Sequence, residues 1–265
     1  MKIGVIGLGN MATAIVSGLI ARGKVECQDV IGYDKFQTAS EKIKSNLNIT
    51  IATNEASVAA AADYLFLAVK PNVLPEVLPK IAPSIKKETV IISIAAGKSL
   101  AFLEEHLGRT DCKIVRTMPN TPALVLEGCT AACANTNVSQ EDMKEVMGIL
   151  ESFGTATIVP EKLMDVVVGI SGSSPAYVFM FIEAMADAAV AAGMPRAQAY
   201  EMSAQAVLGS AALLLKRGQH PGELKDMVCS PGGTTIEAVK VLEEKGFRAA
   251  VIDATLACIE KSKNL

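Results

Sequence analysis

The fold is decided by the stretch KIGVIGLGNMA at residues 2–12. An apolar run over residues 2–6 predicts a buried strand, and a helical pattern follows it. Between the two, Gly7 permits a tight turn, Gly9 lets a ligand approach the backbone, and Ala12 lets the helix pack closely on the strand. The stretch therefore predicts a dinucleotide-binding βαβ unit with the pyrophosphate at the helix N-terminus. A chance glycine turn is the alternative.

Strand and helix patterns alternate along the first 160 residues. Apolar strand patterns lie at residues 2–6, 29–33, 49–51, 64–69, 90–94 and 113–116, with helical patterns between them. A further βαβ unit is predicted from residues 130–134, 143–151 and 155–159. This alternation predicts an α/β fold built on a doubly wound, parallel sheet of the Rossmann type.

Beyond residue 163 the strand patterns end and Ala-rich helical patterns replace them. Helices are predicted at residues 175–192, 196–217, 223–228, 235–244 and 247–261. We therefore expect two domains: a dinucleotide-binding Rossmann domain at residues 1–162, and an all-helical domain at residues 163–265 for substrate binding and dimerisation. Small residues on several helix faces favour packing against a second copy of the chain, and an ordinary single-chain helical core is the alternative.

Composition argues against several other classes of protein. The net charge of -3, the absence of Trp and the 4% aromatic content argue against nucleic acid as a partner. Six Cys without a CxxC pair, and only two His, predict free thiols and no metal site. Two long apolar stretches, residues 3–21 and 166–182, contain glycines or the break SGSSP, so we expect no membrane span and a cytoplasmic protein.

An acidic residue ends the second predicted strand. Asp34 lies 22 positions after Ala12, where a carboxylate typically binds the adenosine ribose hydroxyls and repels a 2′-phosphate. This position favours NADH, although Lys35 follows directly and offsets part of the repulsion. A solvent-facing Asp34 without a role is the alternative.

Other ligand-facing residues are expected at the carboxyl ends of later strands, because the crevice of a doubly wound sheet lies there. Lys70 and Pro71 follow one strand, and small residues at 95–97 follow the next, where a nicotinamide ring can approach. Asn120 and Thr121 follow a third strand as hydrogen-bond partners for the nicotinamide amide or the substrate. A solvated lysine is the alternative for Lys70.

Two segments of the helical region suit a small carboxylate. Residues 171–175 (SGSSP) and 230–235 (SPGGTT) each combine hydroxyls with the start of a predicted helix; ordinary capping turns are the alternative. The helix predicted at residues 175–192 contains neither Lys nor His, so it lacks the base that alcohol oxidation requires, and an imine substrate fits better. His220 is expected to cap a helix.

These stretches together resemble the pyrroline-5-carboxylate reductase family, which catalyses the last step of proline biosynthesis. The resemblance covers the whole chain and is carried by AVKP at 68–71, SIAAG at 93–97, RTMPNTP at 116–122, SGSSPAY at 171–177 and DMVCSPGGTTIEA at 226–238. It implies an oxidoreductase that reduces L-1-pyrroline-5-carboxylate to L-proline by hydride transfer from NADPH or NADH. It also implies self-association, either as homodimers or as decamers built from them.

The resemblance and the strand-end positions together give a predicted site. The predicted cofactor residues are Gly7, Leu8, Gly9, Asn10, Met11, Asp34, Lys35, Asn54, Ala68, Val69, Lys70, Pro71, Ala95, Ala96, Gly97 and Asn120. The predicted substrate residues are Ser173, Ser174, Gly232, Gly233, Thr234 and Thr235, with the Thr235 hydroxyl as the catalytic group at the ring nitrogen. The family usually favours NADPH and often has a small polar residue where Asp34 stands, so the cofactor preference stays open.

Two other functions compete with this interpretation. One is a different two-domain reductase, such as a hydroxyacid dehydrogenase or a reductase of another imine; the missing helix lysine and the SPGGTT stretch argue against it. The other is a non-catalytic dinucleotide sensor, which would need a degraded substrate segment. Substrate-dependent oxidation of the nicotinamide cofactor separates the sensor from the enzyme.

Overall fold

One sheet of eight strands organises the first part of the chain, in a computed structural model that describes residues 1–264. The strands are β1 (Ile3–Ile6), β2 (Val30–Tyr33), β3 (Thr50–Ile51), β4 (Tyr64–Leu67), β5 (Val90–Ser93), β6 (Lys113–Met118), β7 (Gly128–Ala134) and β8 (Gly154–Ile158). They are ordered β3-β2-β1-β4-β5-β6-β7-β8. The order reverses direction beside β1, which is the mark of a doubly wound sheet.

The helices follow the predicted order closely. They are α1 (Asn10–Ala21), α2 (Gln37–Leu47), α3 (Glu55–Ala61), α4 (Leu74–Ile81), α5 (Leu100–Leu107), α6 (Gln140–Leu150), α7 (Met164–Val167), α8 (Ser174–Ala191), α9 (Arg196–Arg217), α10 (Pro221–Val228), α11 (Thr234–Glu244) and α12 (Phe247–Lys263). Short 3-10 turns and one π turn at Val168–Gly172 connect some of them. The Rossmann-type fold class and the helical C-terminal region are confirmed.

The sheet is parallel except at one junction. Strands β1 to β6 pair in parallel, β7 pairs antiparallel with β6, and β7 and β8 are again parallel to each other. The prediction of an entirely parallel sheet is therefore corrected at β7. Residues 119–127 are too few for a helical crossover, so the chain turns back antiparallel. The unit β7–α6–β8 is the βαβ unit that the sequence predicted.

Helices cover both faces of the sheet, which explains the continuous apolar strands. All four residues of β1 and of β5 are buried. Phe66 of β4 joins a core with Ile15 of α1, whereas Leu65 of the same strand joins the opposite core with Leu78 of α4. Alternate residues of one strand therefore pack into two separate cores, as a parallel sheet between two helix layers requires.

The chain divides into two compact units. The first comprises residues 1–173 together with the segment from Cys258 onward, and the second comprises Ser174–Ala257. The domain limits predicted from sequence, 1–162 and 163–265, differ from this division at residues 163–173 and after residue 257. Met164 is buried in the core that α4 and α5 share, which is why the segment after residue 162 groups with the sheet.

An ion cluster around the buried Arg116 holds that segment to the sheet. Arg116 of β6 is 6% exposed, and its guanidinium lies 3.3 Å from Glu161 Oε1 and 3.9 Å from Asp165 Oδ1. Glu161 also accepts the backbone N–H of Leu100 at 2.7 Å, and Asp165 accepts the hydroxyl of Ser262 at 2.8 Å. The buried guanidinium is thus paired with two partly exposed carboxylates and hydrogen-bonded to Glu161, the condition under which burial of a charge is tolerated.

The sequence predicted a break at SGSSP, but the backbone stays helical there. The helical stretch Glu161–Ala191 is, among the described residues, the one helix long and apolar enough to cross a membrane by length and composition. The break was predicted because Pro cannot donate a helical hydrogen bond. The π turn at Val168–Gly172 precedes Pro175 and lets the chain continue as helix.

The second unit consists of helices with many exposed apolar side chains. Phe179, Met180 and Leu215 are 64%, 69% and 84% exposed. An apolar groove of about 850 Å³ lies within this unit and is lined largely by Met180, Phe181, Met185, Val241, Leu242 and Phe247. Exposed apolar surface of this extent marks an interaction face.

Candidate active site

The turn after β1 is held by a close backbone contact. Gly7 has φ +91°, and its N–H donates to the Tyr33 carbonyl at 2.9 Å. A Cβ on Gly7 would lie 2.7 Å from the carbonyl carbon and oxygen of Ala68. A side chain at this position is therefore excluded both by the backbone conformation and by the end of β4.

Above the same turn the space is open. Gly9 is the N-cap of α1 without a side-chain cap, and a Cβ there would meet no atom within 4 Å. The N–H groups of Asn10, Met11 and Ala12 precede the first helical hydrogen bond, from Thr13 to the Gly9 carbonyl at 3.0 Å. Open space over glycine, with N–H groups at a helix N-terminus, fits the pyrophosphate of a dinucleotide.

Asp34 is bonded to the glycine turn rather than pointing freely to solvent. Its Oδ2 accepts the Leu8 N–H at 2.7 Å, and its Oδ1 accepts the Phe36 N–H at 2.8 Å. Two backbone donors thus hold the carboxylate beside the turn that approaches the pyrophosphate. The carboxylate therefore does not point freely to solvent, and its role toward a cofactor stays a prediction.

Two other predicted adenosine-side residues lie on the same first unit. Lys35 is exposed directly after Asp34. Asn54 is exposed and is the N-cap of α3, where its Oδ1 accepts the Ser57 N–H at 2.8 Å. The geometry therefore shows a capping role for Asn54, and its contact with a cofactor stays a prediction.

The ends of β4 and β5 present small or exposed residues, as predicted. After β4, Ala68 and Val69 are half-buried and Lys70 is exposed. After β5, Ala95 is buried, Ala96 is half-buried and Gly97 has φ +70°. These segments lie at the carboxyl ends of β4, which is next to β1 at the switch point, and of its neighbour β5. Ligands of doubly wound sheets bind at this edge.

Asn120 links two parts of the first unit. It is 8% exposed; its Oδ1 accepts the Cys129 N–H at 2.8 Å, and its Nδ2 donates to the Ser171 carbonyl at 3.0 Å. The residue four positions after Ser171 is Pro175, which has no N–H to offer that carbonyl. The amide thus has a positioning role that sequence reasoning missed, and contact with the nicotinamide stays a prediction.

The segment SGSSP is part of a helical run and not a loop before a helix. Ser173 has helical backbone angles, and its N–H donates to the Val168 carbonyl at 2.8 Å in the π turn. Ser174 is therefore the first residue of α8 instead of its cap, which corrects the predicted free helix N-terminus. A π turn inside a helix is frequently a functional feature.

The Ser173 hydroxyl also has a partner that the sequence did not indicate. It accepts the Cys258 thiol at a distance of 3.2 Å. The two residues are 85 positions apart, and no local pattern marks the pair. All six cysteines are free thiols, and burial, followed by the charge of Glu161, raises the pKa of Cys133 to about 11.

The segment SPGGTT forms the turn that the sequence predicted. Gly233 N–H donates to the Ser230 carbonyl at 3.0 Å, Pro231 and Gly232 occupy the centre, and Gly232 has φ +67°. Pro followed by a positive-φ Gly is the pattern of a type II turn. The turn leads into α11, whose N-cap Gly233 carries no side-chain cap, and a Cβ on Gly232 would meet nothing within 4 Å.

This helix start has what a small carboxylate requires. The N–H groups of Thr234 and Thr235 are in the first turn of α11, next to two hydroxyls. Thr235 is half-buried, and within residues 1–264 its hydroxyl makes no hydrogen bond in the structure. By contrast, the Nδ1 of His220 accepts the Gly222 N–H at 3.1 Å, so the predicted capping role of His220 is confirmed.

Known protein families match both the N-terminal and the C-terminal part of the chain. Residues 2–97 match the family described as NADP oxidoreductase coenzyme F420-dependent, and residues 161–265 match pyrroline-5-carboxylate reductase dimerisation. The chain is 54% identical to the pyrroline-5-carboxylate reductase of Escherichia coli, over 100% of the chain and 98% of the relative. It is 44% identical to that of Methanosarcina acetivorans, over 100% and 97%.

The chain belongs to the pyrroline-5-carboxylate reductase family.

Solved structures agree with that assignment. The Plasmodium falciparum pyrroline carboxylate reductase, solved with NADP bound, superposes with a TM-score of 0.91 at 34% identity, over 100% of this chain and 97% of that one. The predicted family and the predicted nicotinamide-dependent oxidoreductase class are confirmed. The match of residues 161–265 to a dimerisation domain supports self-association of the chain.

Because the space over Gly9 is open, a substitution of Gly9 tests the cofactor site. Gly9→Ala meets no atom of the protein, so we expect a cost in stability below about 1 kcal/mol. The added methyl stands where the pyrophosphate approaches, so nucleotide affinity should fall at least about tenfold. Thermal unfolding and calorimetric titration with NADH and NADPH measure the two effects.

Gly148→Ala is the matched control. Gly148 lies inside α6, and its nearest neighbour would be the flexible end of Lys24 at 3.5 Å. We expect unchanged nucleotide affinity for this variant. Wild-type affinity in Gly9→Ala would show that the cofactor does not lie over this turn.

The two bonds of Asn120 generate a second test. Asn120→Asp keeps an acceptor for the Cys129 N–H but turns a carboxylate oxygen toward the Ser171 carbonyl. We expect the free energy of unfolding to fall by about 1–3 kcal/mol, measured by urea titration at fixed protomer concentration. Asn46→Asp, at an exposed position in α2, should change it by less than about 0.5 kcal/mol; equal losses would contradict the role of Asn120.

Proposed function

We propose that the protein reduces L-1-pyrroline-5-carboxylate to L-proline with NADPH or NADH, the last step of proline biosynthesis. The observation that carries this proposal is the SPGGTT turn, which ends in an uncapped helix N-terminus with open space at Gly232 and hydroxyls at Thr234 and Thr235. The relatives named above are pyrroline-5-carboxylate reductases over essentially their full length.

The first unit supplies the cofactor residues of this proposal. The glycine turn at residues 7–11 holds the pyrophosphate through backbone N–H groups, and Asp34, Lys35 and Asn54 lie on the adenosine side. Small residues after β5, Ala95–Gly97, leave room for the nicotinamide ring. Residues 68–71 and Asn120 are the other residues proposed to contact the cofactor. When bound, NAD(P)H supplies the hydride.

The substrate residues are proposed as Ser173, Ser174, Gly232, Gly233, Thr234 and Thr235. Backbone N–H groups at the start of α11 donate to the carboxylate, which the positive end of the helix dipole also favours. The Thr235 hydroxyl has no competing partner in residues 1–264, so it is available to hydrogen-bond the ring nitrogen. Its role is to orient that nitrogen and keep the imine carbon facing the hydride.

Hydride transfer to an imine requires little acid–base catalysis from the protein. A protonated imine carbon is already electrophilic, so orientation and exclusion of water account for most of the required effect. That fits α8, which contains neither Lys nor His. A hydroxyacid dehydrogenase would need a base to take the hydroxyl proton.

The proposal extends to the domain limits, the assembly and the location of the protein. We propose domain limits near residue 162, self-association as a homodimer or as a decamer built from dimers, and a cytoplasmic location without nucleic acid or membrane as a partner. The exposed apolar groove lined by Met180, Phe181 and Phe247 is the face we assign to the second copy.

The decisive experiment is nicotinamide absorbance with purified protein, L-1-pyrroline-5-carboxylate, and NADH or NADPH. We expect substrate-dependent oxidation of the cofactor. Thr235→Val should lower kcat about 10- to 100-fold, the loss expected for one hydrogen bond used in the transition state, with unchanged nucleotide affinity. Thr157→Val, at an exposed position in β8, is the matched control and should keep wild-type activity.

Two results would contradict the proposal. Folded protein that binds nucleotide but oxidises none with this substrate would favour another imine or the sensor function. A Thr235→Val enzyme with wild-type kcat would remove Thr235 from the mechanism.

Self-association is tested separately. Sedimentation velocity of the wild type should give a mass of at least two protomers of 27.8 kDa. Met180→Glu places a charge on the 69% exposed apolar side chain of α8, so it should shift the distribution toward monomer, whereas Glu41→Gln should not. A wild type that sediments as a monomer would refute the dimer.

A further inference from the structure

We infer that this protein selects NADH over NADPH, and that the Asp34 carboxylate, fixed against the glycine turn, is the discriminating group. The inference rests on the proposed function only in taking a nicotinamide dinucleotide as the cofactor. The proposed function leaves the cofactor as NADPH or NADH, and this inference selects NADH. The Plasmodium relative, by contrast, was solved with NADP bound.

The position of the carboxylate is fixed before any ligand arrives. Oδ2 accepts the Leu8 N–H at 2.7 Å and Oδ1 accepts the Phe36 N–H at 2.8 Å. Hydrogen bonds from N–H groups to a carboxylate are short and strong. Because Leu8 lies between Gly7 and Gly9, this geometry places a negative charge at the edge of the pyrophosphate cradle.

The unused acceptor capacity of Asp34 distinguishes the two cofactors. A carboxylate offers about four lone-pair sites, and the two backbone donors occupy two. Ribose hydroxyls are donors and can use the sites that remain. A 2′-phosphate in the same place has no proton to donate when ionised and carries the same sign of charge, so it is repelled.

Arginines able to compensate for that repulsion are missing from this side of the sheet. The sequence has no Arg between Arg22 and Arg109. Arg22 follows the far end of α1, about 18 Å from its N-terminus at 1.5 Å per residue. Arg109 donates to the carbonyls of Ala82 and Ile85 and to Asp111.

The third arginine of the first unit is equally committed. Arg116 is buried and paired with Glu161 and Asp165. The guanidinium groups that usually bind a 2′-phosphate are therefore used elsewhere or distant.

Lys35 is the one cation next to Asp34 in sequence, and its charge also acts on the Glu76 carboxylate. The pKa of the Glu76 carboxyl is lowered first by the hydrogen bond from Lys80, at 2.8 Å, and then by the charges of Lys80 and Lys35. Lys35 thus lies close enough to Glu76 to act on it. The next residues, FQTASE at 36–41, contain no basic side chain.

The test is calorimetric titration of the full-length protein with NADH and with NADPH, in the absence of substrate. We expect the dissociation constant for NADPH to exceed that for NADH at least about tenfold in the wild type. Asp34→Asn keeps the size of the side chain and one acceptor oxygen, and Asp34→Ser is the smaller alternative. Either should bring the ratio of the two constants to about one or reverse it.

Two further variants test whether other charged residues near Asp34 set the ratio of the two dissociation constants. Glu41→Gln removes a charge from α2 without touching the glycine turn, and it should keep the wild-type ratio. Lys35→Ala should change the ratio by less than about threefold, because Lys35 is not the source of the discrimination.

Several outcomes would overturn the inference: a wild type that binds NADPH as tightly as NADH or more tightly, an unchanged ratio in both Asp34 variants, or a Lys35→Ala variant in which the preference for NADH is lost. If the Asp34 variants do not fold, the wild-type ratio and Lys35→Ala still decide. A protein that prefers NADH but does not reduce L-1-pyrroline-5-carboxylate would refute the proposed function alone. An active enzyme that prefers NADPH would refute this inference alone.

Discussion

The close approach of the Gly7 backbone to the carbonyl of Ala68 is the constraint on which the rest of the structure depends. It brings the ends of β1 and β4 together with no side chain between them. From that point α1 starts with unoccupied N–H groups, and the turn receives Asp34 from the end of β2. Three strand ends thus form one surface, and this surface has the geometry of a dinucleotide site.

A second constraint operates farther along the sheet. Pro175 cannot complete the helical bond to the Ser171 carbonyl, and Asn120 donates to that carbonyl instead. The same amide accepts the backbone N–H of Cys129 in β7, so one side chain ties the π turn to the strand that reverses direction. Below it, the buried Arg116 pairs with Glu161 and Asp165, and the helical segment is held to the sheet by charge as well as by packing.

The two constraints place polar groups where they have structural and ligand-binding uses. Asp34 shows this most clearly, because its two backbone bonds leave acceptor sites for ribose while holding a negative charge in place. An arginine-poor surface around it strengthens the effect. On our inference, cofactor choice depends on how this carboxylate is oriented as much as on its presence in the sequence.

The sequence by itself determined the strand and helix pattern, the glycine turn, the SPGGTT turn and the family. These depend on neighbours along the chain: apolar periodicity, the φ freedom of Gly7 and Gly232, and Pro231 before a glycine. Tertiary structure alone decided the antiparallel pairing of β7 with β6 and the continuous helix through SGSSP. It also decided the contacts of Asp34, Asn120, Arg116 and Cys258. The long-range contacts among these join residues from 9 to 97 positions apart, and no local pattern encodes which distant donor will satisfy a given acceptor.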